Sequence, residues 1–205
     1  MKKNGLLFFD IDTQYDFIMP TGKLYVKGAE EIIPNLKKLT EFAIENDIPV
    51  FASADSHPGD DPEFEQFPPH CLTGSAGNRK IKETYLPNAA VLRYSDEKQN
   101  VDLEKLNGII FTKNTFDVFS NPFVDGLLKK INPEEIILYG VATDYCVKAA
   151  AESLIKRGYK ISIVEDAIKA VDEEEGRLTL ERLKNKGANL VKTEEVVGIK
   201  EKLTG

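Results

Sequence analysis

Apolar residues along the chain fall into two kinds of segment that alternate from one end to the other. Short continuous apolar runs are typical of strands buried on both faces, and apolar residues three and four positions apart indicate amphipathic helices. The runs predict about six strands: Gly5–Ile11, Pro49–Ala54, Ile109–Thr112, Glu135–Gly140, Tyr159–Val164 and Ala188–Val191. The helical spacing predicts helices over Ala29–Asn46, Pro122–Ile131, Thr143–Arg157 and Glu173–Lys186.

Strands that alternate with helices predict an α/β fold, in which helices sandwich a parallel sheet in a Rossmann-like arrangement. The 205 residues fit a single domain, 1–205, better than two small ones. A stretch from about residue 55 to 108, rich in Pro, Gly, Asp and Glu, interrupts the alternation and is predicted to be a functional insertion. Because the strands are parallel, the loops that follow them emerge at one edge of the sheet, where such folds bind ligands.

Composition narrows the class of protein further. The chain is 41% hydrophobic and 30% charged, has a net charge of -7 and contains no cluster of Lys and Arg, which argues against a nucleic-acid partner. Its first apolar run ends at Asp10 and is too short for a signal sequence or a membrane span. The two cysteines, Cys71 and Cys146, are not needed as a disulfide in a chain of this length. We therefore expect a cytoplasmic protein with no membrane partner.

Both histidines of the chain lie in the insertion. His57 follows Asp55 closely at the end of the second predicted strand, and His70 lies further along the same insertion. Two imidazoles and a carboxylate are common ligands of divalent metals, so the sequence predicts a metal site at Asp55, His57 and His70. Three alternatives remain open: two surface histidines, a structural zinc with Cys71 as fourth ligand, and an oxygenase-type iron site, which would leave Cys146 without a role.

Cys146 lies just after the fourth predicted strand, where the chain turns and a helix begins. Thr143 or Asp144 is expected to cap that helix, which places Cys146 in its first turn. Free backbone amides and the helix dipole favour a thiolate at that position and can also hold an oxyanion. The layout is analogous to a nucleophile elbow. The alternative is an ordinary buried cysteine on an apolar helix face.

Charged residues end two further predicted strands. Asp10 and Asp12 close the first strand and share one face by alternation, so either could face a site at this edge. Lys113 follows the strand Ile109–Thr112, and a lysine at that edge could pair with an acid. The ends of separate strands thus deliver an acid, a metal site, a lysine and a cysteine to one edge of the sheet. This convergence favours an active site over unrelated surface groups.

Several segments, in order along the chain, resemble the motifs of the isochorismatase-like cysteine hydrolases, a superfamily that includes nicotinamidases and pyrazinamidases. The register of the first motif aligns Asp12, rather than Asp10, with the catalytic aspartate of that family. The likeness spans roughly residues 5–192. The matching segments are residues 12–17 (D-x-Q-x-D-F), 55–58 (D-x-H-P), 68–77 (P-x-H-C-x-x-G-x-x-G), Lys113, and the nucleophile motif at 140–147.

The resemblance implies a parallel sheet sandwiched by helices, a bound divalent ion and a small amide as substrate. The ion expected is zinc, with iron or manganese as alternatives, and Asp61, Glu63 or Glu65 is a candidate for a further ligand. Self-association into a homo-oligomer is also common in the family. The roles implied are catalysis by Asp12, Lys113 and Cys146; an oxyanion hole at Ala142 and Cys146, after a cis peptide between Val141 and Ala142; metal binding by Asp55, His57 and His70; and substrate contacts from Phe17, Val141 and Tyr145.

The function favoured by the sequence is a metal-containing cysteine amidohydrolase, specifically a nicotinamidase that converts nicotinamide and water to nicotinate and ammonia through a thioester. Two departures from nicotinamidases keep a second substrate class open: Ser56 stands where they often carry Trp, and residues 114–120 differ from their usual sequence. The first alternative is an amidase or ureide hydrolase acting on a non-pyridine amide. A vinyl-ether-cleaving isochorismatase is disfavoured by the metal motif and Cys146. A non-catalytic ligand-binding protein is disfavoured by the intact catalytic residues.

Overall fold

The structure, a computed structural model, describes residues 5–98 and 101–198 as strands and helices in alternation. The strands are β1 Leu6–Ile11, β2 Val50–Asp55, β3 Ala89–Leu92, β4 Gly108–Lys113, β5 Glu135–Val141, β6 Ile161–Lys169 and β7 Asn189–Val191. The α-helices are α1 Tyr15–Ile18, α2 Ile33–Glu45, α3 Val124–Ile131, α4 Lys148–Lys156, α5 Glu173–Asn185 and α6 Thr193–Val197. Among the described residues, no helix is both long and apolar enough to cross a membrane.

The strands form one parallel sheet of seven, in the order β3-β4-β2-β1-β5-β6-β7. One apolar cluster on the sheet includes Val124, Leu128 and Leu154 of α3 and α4. The other includes Leu36 and Leu39 of α2. The two clusters bury both faces of the central strands, which explains why those strands are continuous apolar runs. The predicted α/β fold with helices around a parallel sheet is confirmed.

Each predicted strand has its counterpart in the structure, and β3 is an additional one. This strand has only four residues, lies at the edge of the sheet, and leaves Val91 exposed. An edge strand of this kind lacks the buried apolar run that identified the others, so hydrophobic pattern alone missed it. The ends of the predicted domain, residues 1–4 and 199–205, lie outside the described residues.

One segment of the insertion between β2 and β4 is attached to the chain that follows β1. Residues 77–81 run antiparallel to residues 13–16, through hydrogen bonds from Tyr15 N to Arg79 O (2.9 Å) and from Ile81 N to Thr13 O (3.0 Å). A buried ion pair reinforces the attachment, with Lys80 Nζ 2.9 Å from Asp10 Oδ2. The insertion is therefore held above the carboxyl edge of the sheet.

The carboxyl ends of β1, β2, β4 and β5 are adjacent at the centre of this edge. Asp55, the last residue of β2, pairs in register with Lys113, the last residue of β4. β1 and β5 approach so closely at Gly140 that a Cβ there would lie 2.0 Å from the carbonyl oxygen of Ile11, so only glycine fits. Side chains that project from these strand ends therefore lie close to one another.

Candidate active site

The structure brings Asp12, Lys113 and Cys146 together at the centre of the carboxyl edge. Asp12 directly follows β1, Lys113 ends β4, and Cys146 lies in a π-helical turn, Thr143–Val147, after β5. Lys113 Nζ lies 2.8 Å from Asp12 Oδ2 and 3.5 Å from Cys146 Sγ. All three side chains are buried. The lysine therefore contacts both the Asp12 carboxylate and the Cys146 thiol.

The backbone at Asp12 explains why this acid, and not Asp10, faces the lysine. Asp12 adopts a left-handed conformation (φ 49°), so the side-chain alternation of β1 does not extend to it. The expectation that both acids share one face is therefore wrong. Asp10 instead accepts a hydrogen bond from Thr13 and pairs with Lys80.

Ser53 on β2 is a partner of Asp12 that sequence analysis did not identify. Its hydroxyl donates to Asp12 Oδ1 (2.6 Å) and accepts from the Asp12 amide (3.2 Å). Burial raises the pKa of Asp12, while Lys113 and the Ser53 hydrogen bond lower it in part. A carboxylate with a raised pKa is well suited to accept and return a proton. A small serine in an apolar strand carries no sequence signal for this role.

The surroundings of Cys146 oppose ionisation of its thiol. Burial raises its pKa well above the ordinary value, Lys113 opposes this, and the negative charges of Asp12 and Asp55 add to it. The prediction that the start of the helix favours a thiolate did not include these effects, burial and two nearby carboxylates, which act in the opposite direction. Lys113 itself stays charged: burial lowers its pKa, but the two carboxylates raise it well above the usual range.

The turn that carries Cys146 is not capped as the sequence suggested. Neither Thr143 nor Asp144 caps it; Ala142 occupies the N-terminal position without a side-chain hydrogen bond. Asp144 instead accepts hydrogen bonds from the amides of Val171 (3.0 Å) and Asp172 (2.9 Å), tying the turn to the loop after β6. The peptide between Val141 and Ala142 is cis, as the family resemblance implied.

Asp55, His57 and His70 form a buried cluster next to the lysine. One oxygen of Asp55 contacts Lys113 Nζ. The other, Oδ2, lies 3.7 Å from His57 Nε2 and 3.9 Å from His70 Nε2. These separations are too long for hydrogen bonds but near the roughly 3.3–3.6 Å expected between ligands of a tetrahedral ion with bonds of about 2.0–2.2 Å. Asp55 therefore contacts the lysine through one oxygen and faces the two histidines through the other.

The hydrogen bonding of the two rings also fits a metal. His70 Nδ1 lies 2.9 Å from the Pro68 carbonyl, an acceptor, which leaves Nε2 as the nitrogen with a lone pair. His57 is buried, yet neither of its nitrogens makes a well-aligned hydrogen bond within the described part of the chain. Buried polar atoms without partners need an explanation, and a bound cation supplies one for Nε2, the nitrogen that faces Asp55. The residues present thus fit a divalent ion.

The other candidate ligands occupy different positions. Asp61 lies behind His57, with Oδ2 3.1 Å from Nδ1, on the side of the ring away from Asp55. Glu63 Oε1 is 3.8 Å from His70 Nε2. Glu65 is exposed to solvent. Cys71 is buried, and its Sγ lies 4.0 Å from the Gly77 carbonyl; within residues 5–98 and 101–198 it does not join the ligand cluster.

Two amide side chains hold the backbone of the predicted ligands. Gln14 accepts from the Asp55 amide (2.7 Å) and donates to the Asp55 carbonyl (2.8 Å). Asn78 donates to the same carbonyl at 2.6 Å. Asp16 accepts from the amide of Cys71 at 2.7 Å, next to His70. Gln14 and Asp16 were visible in the sequence as part of the first family motif, but only the structure reveals what they contact.

A cavity of about 100 Å³ leads to Cys146. The predicted substrate-contact residues Phe17, Val141 and Tyr145 all line it, and the Phe17 ring lies 5.4 Å from that of His70. Sequence analysis missed Phe67 and Phe116, whose rings lie 6.2 and 5.4 Å from that of Tyr145. Asp55, His70 and Ala142 line the cavity as well. The nucleophile and two of the three predicted metal ligands, Asp55 and His70, therefore line one small, aromatic-walled space.

Comparison with known proteins agrees with this architecture. Residues 6–195 match the Isochorismatase domain, so the chain belongs to the isochorismatase family. A nicotinamidase from Saccharomyces cerevisiae is 26% identical over 194 residues, covering 80% of this chain and 88% of the yeast protein.

Solved structures show the same relationship. The pyrazinamidase/nicotinamidase of Streptococcus mutans superposes with a TM-score of 0.76 at 29% identity, covering 91% of this chain and 99% of that one. The pyrazinamidase of Pyrococcus horikoshii in complex with zinc gives a TM-score of 0.76 at 25% identity, covering 92% and 99%. The likeness extends over nearly the whole length of both proteins.

Proposed function

We propose that this isochorismatase-family hydrolase is a metal-containing nicotinamidase that converts nicotinamide and water to nicotinate and ammonia. The observation that carries the proposal is the shared cavity, in which the Cys146 thiol and the Asp55 and His70 side chains line one small space. A planar aromatic amide fits between aromatic walls of this kind. The similarity to nicotinamidases from yeast and Streptococcus mutans supports the same substrate.

The cavity lining includes the carboxylates Asp55 and Glu63 and, among the described residues, no lysine or arginine. Positive charge at the site would come from Lys113, 3.5 Å from the Cys146 sulfur, and from a bound divalent ion. A neutral carboxamide needs no further cationic partner.

The reaction begins with proton transfer from Cys146 to Asp12. The thiolate attacks the carboxamide carbon, a C–S bond forms, and the carbonyl electrons move to oxygen. We assign the oxyanion hole to the amides of Ala142 and Cys146. Lys113 holds Asp12 in place and keeps a positive charge beside the sulfur.

Collapse of the tetrahedral species breaks the C–N bond, and Asp12 returns the proton to the leaving nitrogen, which departs as ammonia. Asp12 then accepts a proton from water as the water attacks the thioester, which releases nicotinate and restores the Cys146 thiol. A divalent ion held by Asp55, His57 and His70, which we propose to be zinc, supplies when bound an electrophilic anchoring point for the pyridine nitrogen. Both cysteines are free thiols, in keeping with a reducing, cytoplasmic setting.

The test is ammonia release from nicotinamide by the purified enzyme, before chelation, after chelation, and after addition of zinc, iron or manganese. We expect release that chelation abolishes and one of the ions restores. Metal binding without any release from nicotinamide would contradict the assignment and favour an amidase for a non-pyridine substrate.

A cysteine pair gives the matched control for the nucleophile. Cys146→Ala removes the thiol beside Lys113 and is expected to abolish turnover while metal content is unchanged. Cys71→Ala removes the other buried thiol, which lies outside the catalytic cavity, and is expected to keep turnover. Full activity in Cys146→Ala would exclude the mechanism.

A further inference from the structure

The two histidines of the metal site are oriented in the same way by different partners. In each ring, Nε2 is directed toward Asp55 Oδ2, at 3.7 Å for His57 and 3.9 Å for His70. In each ring, Nδ1 lies next to an oxygen acceptor. That acceptor is the Pro68 carbonyl for His70, at 2.9 Å, and the Asp61 carboxylate for His57, at 3.1 Å. The His57–Asp61 contact is at a close ion-pair distance rather than a well-aligned hydrogen bond.

Asp61 is buried and is itself held by two further contacts. Its Oδ1 accepts from the Glu63 amide (2.9 Å), and its Oδ2 accepts from Asn114 Nδ2 (3.2 Å). Asn114 directly follows Lys113 at the end of β4. A buried carboxylate fixed at both oxygens is a rigid acceptor, and here it links the insertion to the strand that carries the catalytic lysine.

We propose that Asp61 is a positioning residue for the metal site, and that Asn114 keeps it in place. A neutral imidazole donates from one nitrogen and binds a metal through the other, so an acceptor at Nδ1 selects the form with its lone pair on Nε2. Asp61 faces Nδ1, on the side of the ring away from Asp55, so it orients a ligand rather than serving as one. The inference rests on the metal site of the proposed function.

The experiment measures metal affinity directly, without turnover. Zinc dissociation constants are determined by competition with a chromophoric chelator for the unaltered enzyme, Asp61→Asn and Asp60→Asn. Asp60 is the exposed neighbour of Asp61, so its substitution changes charge equally without touching His57. We expect Asp61→Asn to weaken zinc binding by about 10–100-fold. Asp60→Asn should bind as the unaltered enzyme does.

Two further measurements separate orientation from general damage to the fold. Asn114→Ala leaves the carboxylate in place but removes its side-chain donor, and we expect a smaller loss of zinc affinity than for Asp61→Asn. Cobalt substitution should give visible absorption bands that change in Asp61→Asn and not in Asp60→Asn, while thermal unfolding of the metal-free proteins confirms that each variant folds.

The outcomes distinguish this inference from the proposed function. Equal zinc affinity and equal cobalt spectra in Asp61→Asn and the unaltered enzyme would overturn the role of Asp61 and leave the metal site intact. Failure of the unaltered enzyme to bind either ion would overturn the metal site and, with it, this inference. Weakened binding confined to Asp61→Asn and Asn114→Ala supports the role.

Discussion

Removal of the Ser53 hydroxyl tests whether Asp12 is the proton acceptor. Asp12 accepts a proton only when ionised, so activity falls as the pH drops through its pKa. Burial raises that pKa above the ordinary value of 3.8, and the Ser53 hydrogen bond opposes part of the increase. Ser53→Ala should therefore raise the pKa of Asp12 further, and the acidic limb of the pH profile should move to higher pH.

The magnitude follows from the hydrogen bond that is lost. A hydrogen bond to a charged group contributes about 1.5–3 kcal/mol, and one pKa unit corresponds to about 1.36 kcal/mol. Ser53 and Asp12 are both buried, so bulk water does not replace the missing donor. Part of the loss is offset because Lys113 still contacts the carboxylate. We expect a shift of the acidic limb by about one pH unit.

The assay is the pH dependence of kcat/KM for nicotinamide, together with the pH dependence of Cys146 alkylation by iodoacetamide, which needs no substrate. Ser162→Ala is the matched control, because Ser162 is also a buried serine that donates to a carboxylate, Glu135, away from the site. An acidic limb that stays in place, or moves to lower pH, in Ser53→Ala would refute the assignment of Asp12 as base. Thermal unfolding checks that the variant retains its fold.

Three other substitutions have defined outcomes. Lys80→Met leaves the buried Asp10 carboxylate without its counter-ion and should lower the free energy of unfolding by about 3–5 kcal/mol, and adding Asp10→Val should recover most of the loss in chemical denaturation. Gly77→Ala would place a Cβ 2.1 Å from Asp16 Oδ2, so the segment carrying His70 should shift and zinc affinity, measured by chelator competition, should fall. Lys113→Met should abolish turnover. In the metal-free protein it should also lower stability at neutral pH, with partial recovery in acid, because protonation relieves the two carboxylates left without a counter-ion. Equal stability of the metal-free variant at both pH values would contradict the shared-charge arrangement.

The sequence predicted which strand ends form the site because apolar runs are local signals. Apolar runs located the strands, and in a parallel sheet the residues after them must gather at one edge, which brought Asp12, Asp55, Lys113 and Cys146 into one prediction. The insertion, in contrast, folds through tertiary contacts that no periodicity records. Which of several nearby acids faces a histidine depends on contacts such as those that hold Asp61, from the Glu63 amide and from Asn114.

Two expectations missed effects of the same kind. The expectation of a thiolate at Cys146 rested only on the start of the helix, whereas burial and two neighbouring carboxylates raise the pKa of this thiol. The expected pairing of Asp10 and Asp12 on one face assumed that strand geometry continued through Asp12, which adopts a left-handed backbone instead. Both depend on environment or local conformation at a single residue, and average patterns along a sequence do not report these.

The distribution of charge explains why the site functions as one unit. Lys113 contacts both Asp12 and Asp55, and Asp55 also faces the predicted metal ion. A resting thiolate beside an ionised Asp12 would place two buried negative charges next to that one lysine. Transfer of the Cys146 proton to Asp12 avoids this, because the net charge of the cluster is the same before and after the transfer. Burial therefore opposes a free thiolate yet permits proton exchange within the group. In the proposed mechanism, Cys146 becomes reactive only when Asp12 is ionised and close to it, which couples the chemistry of Cys146 to the position of a carboxylate at the end of another strand.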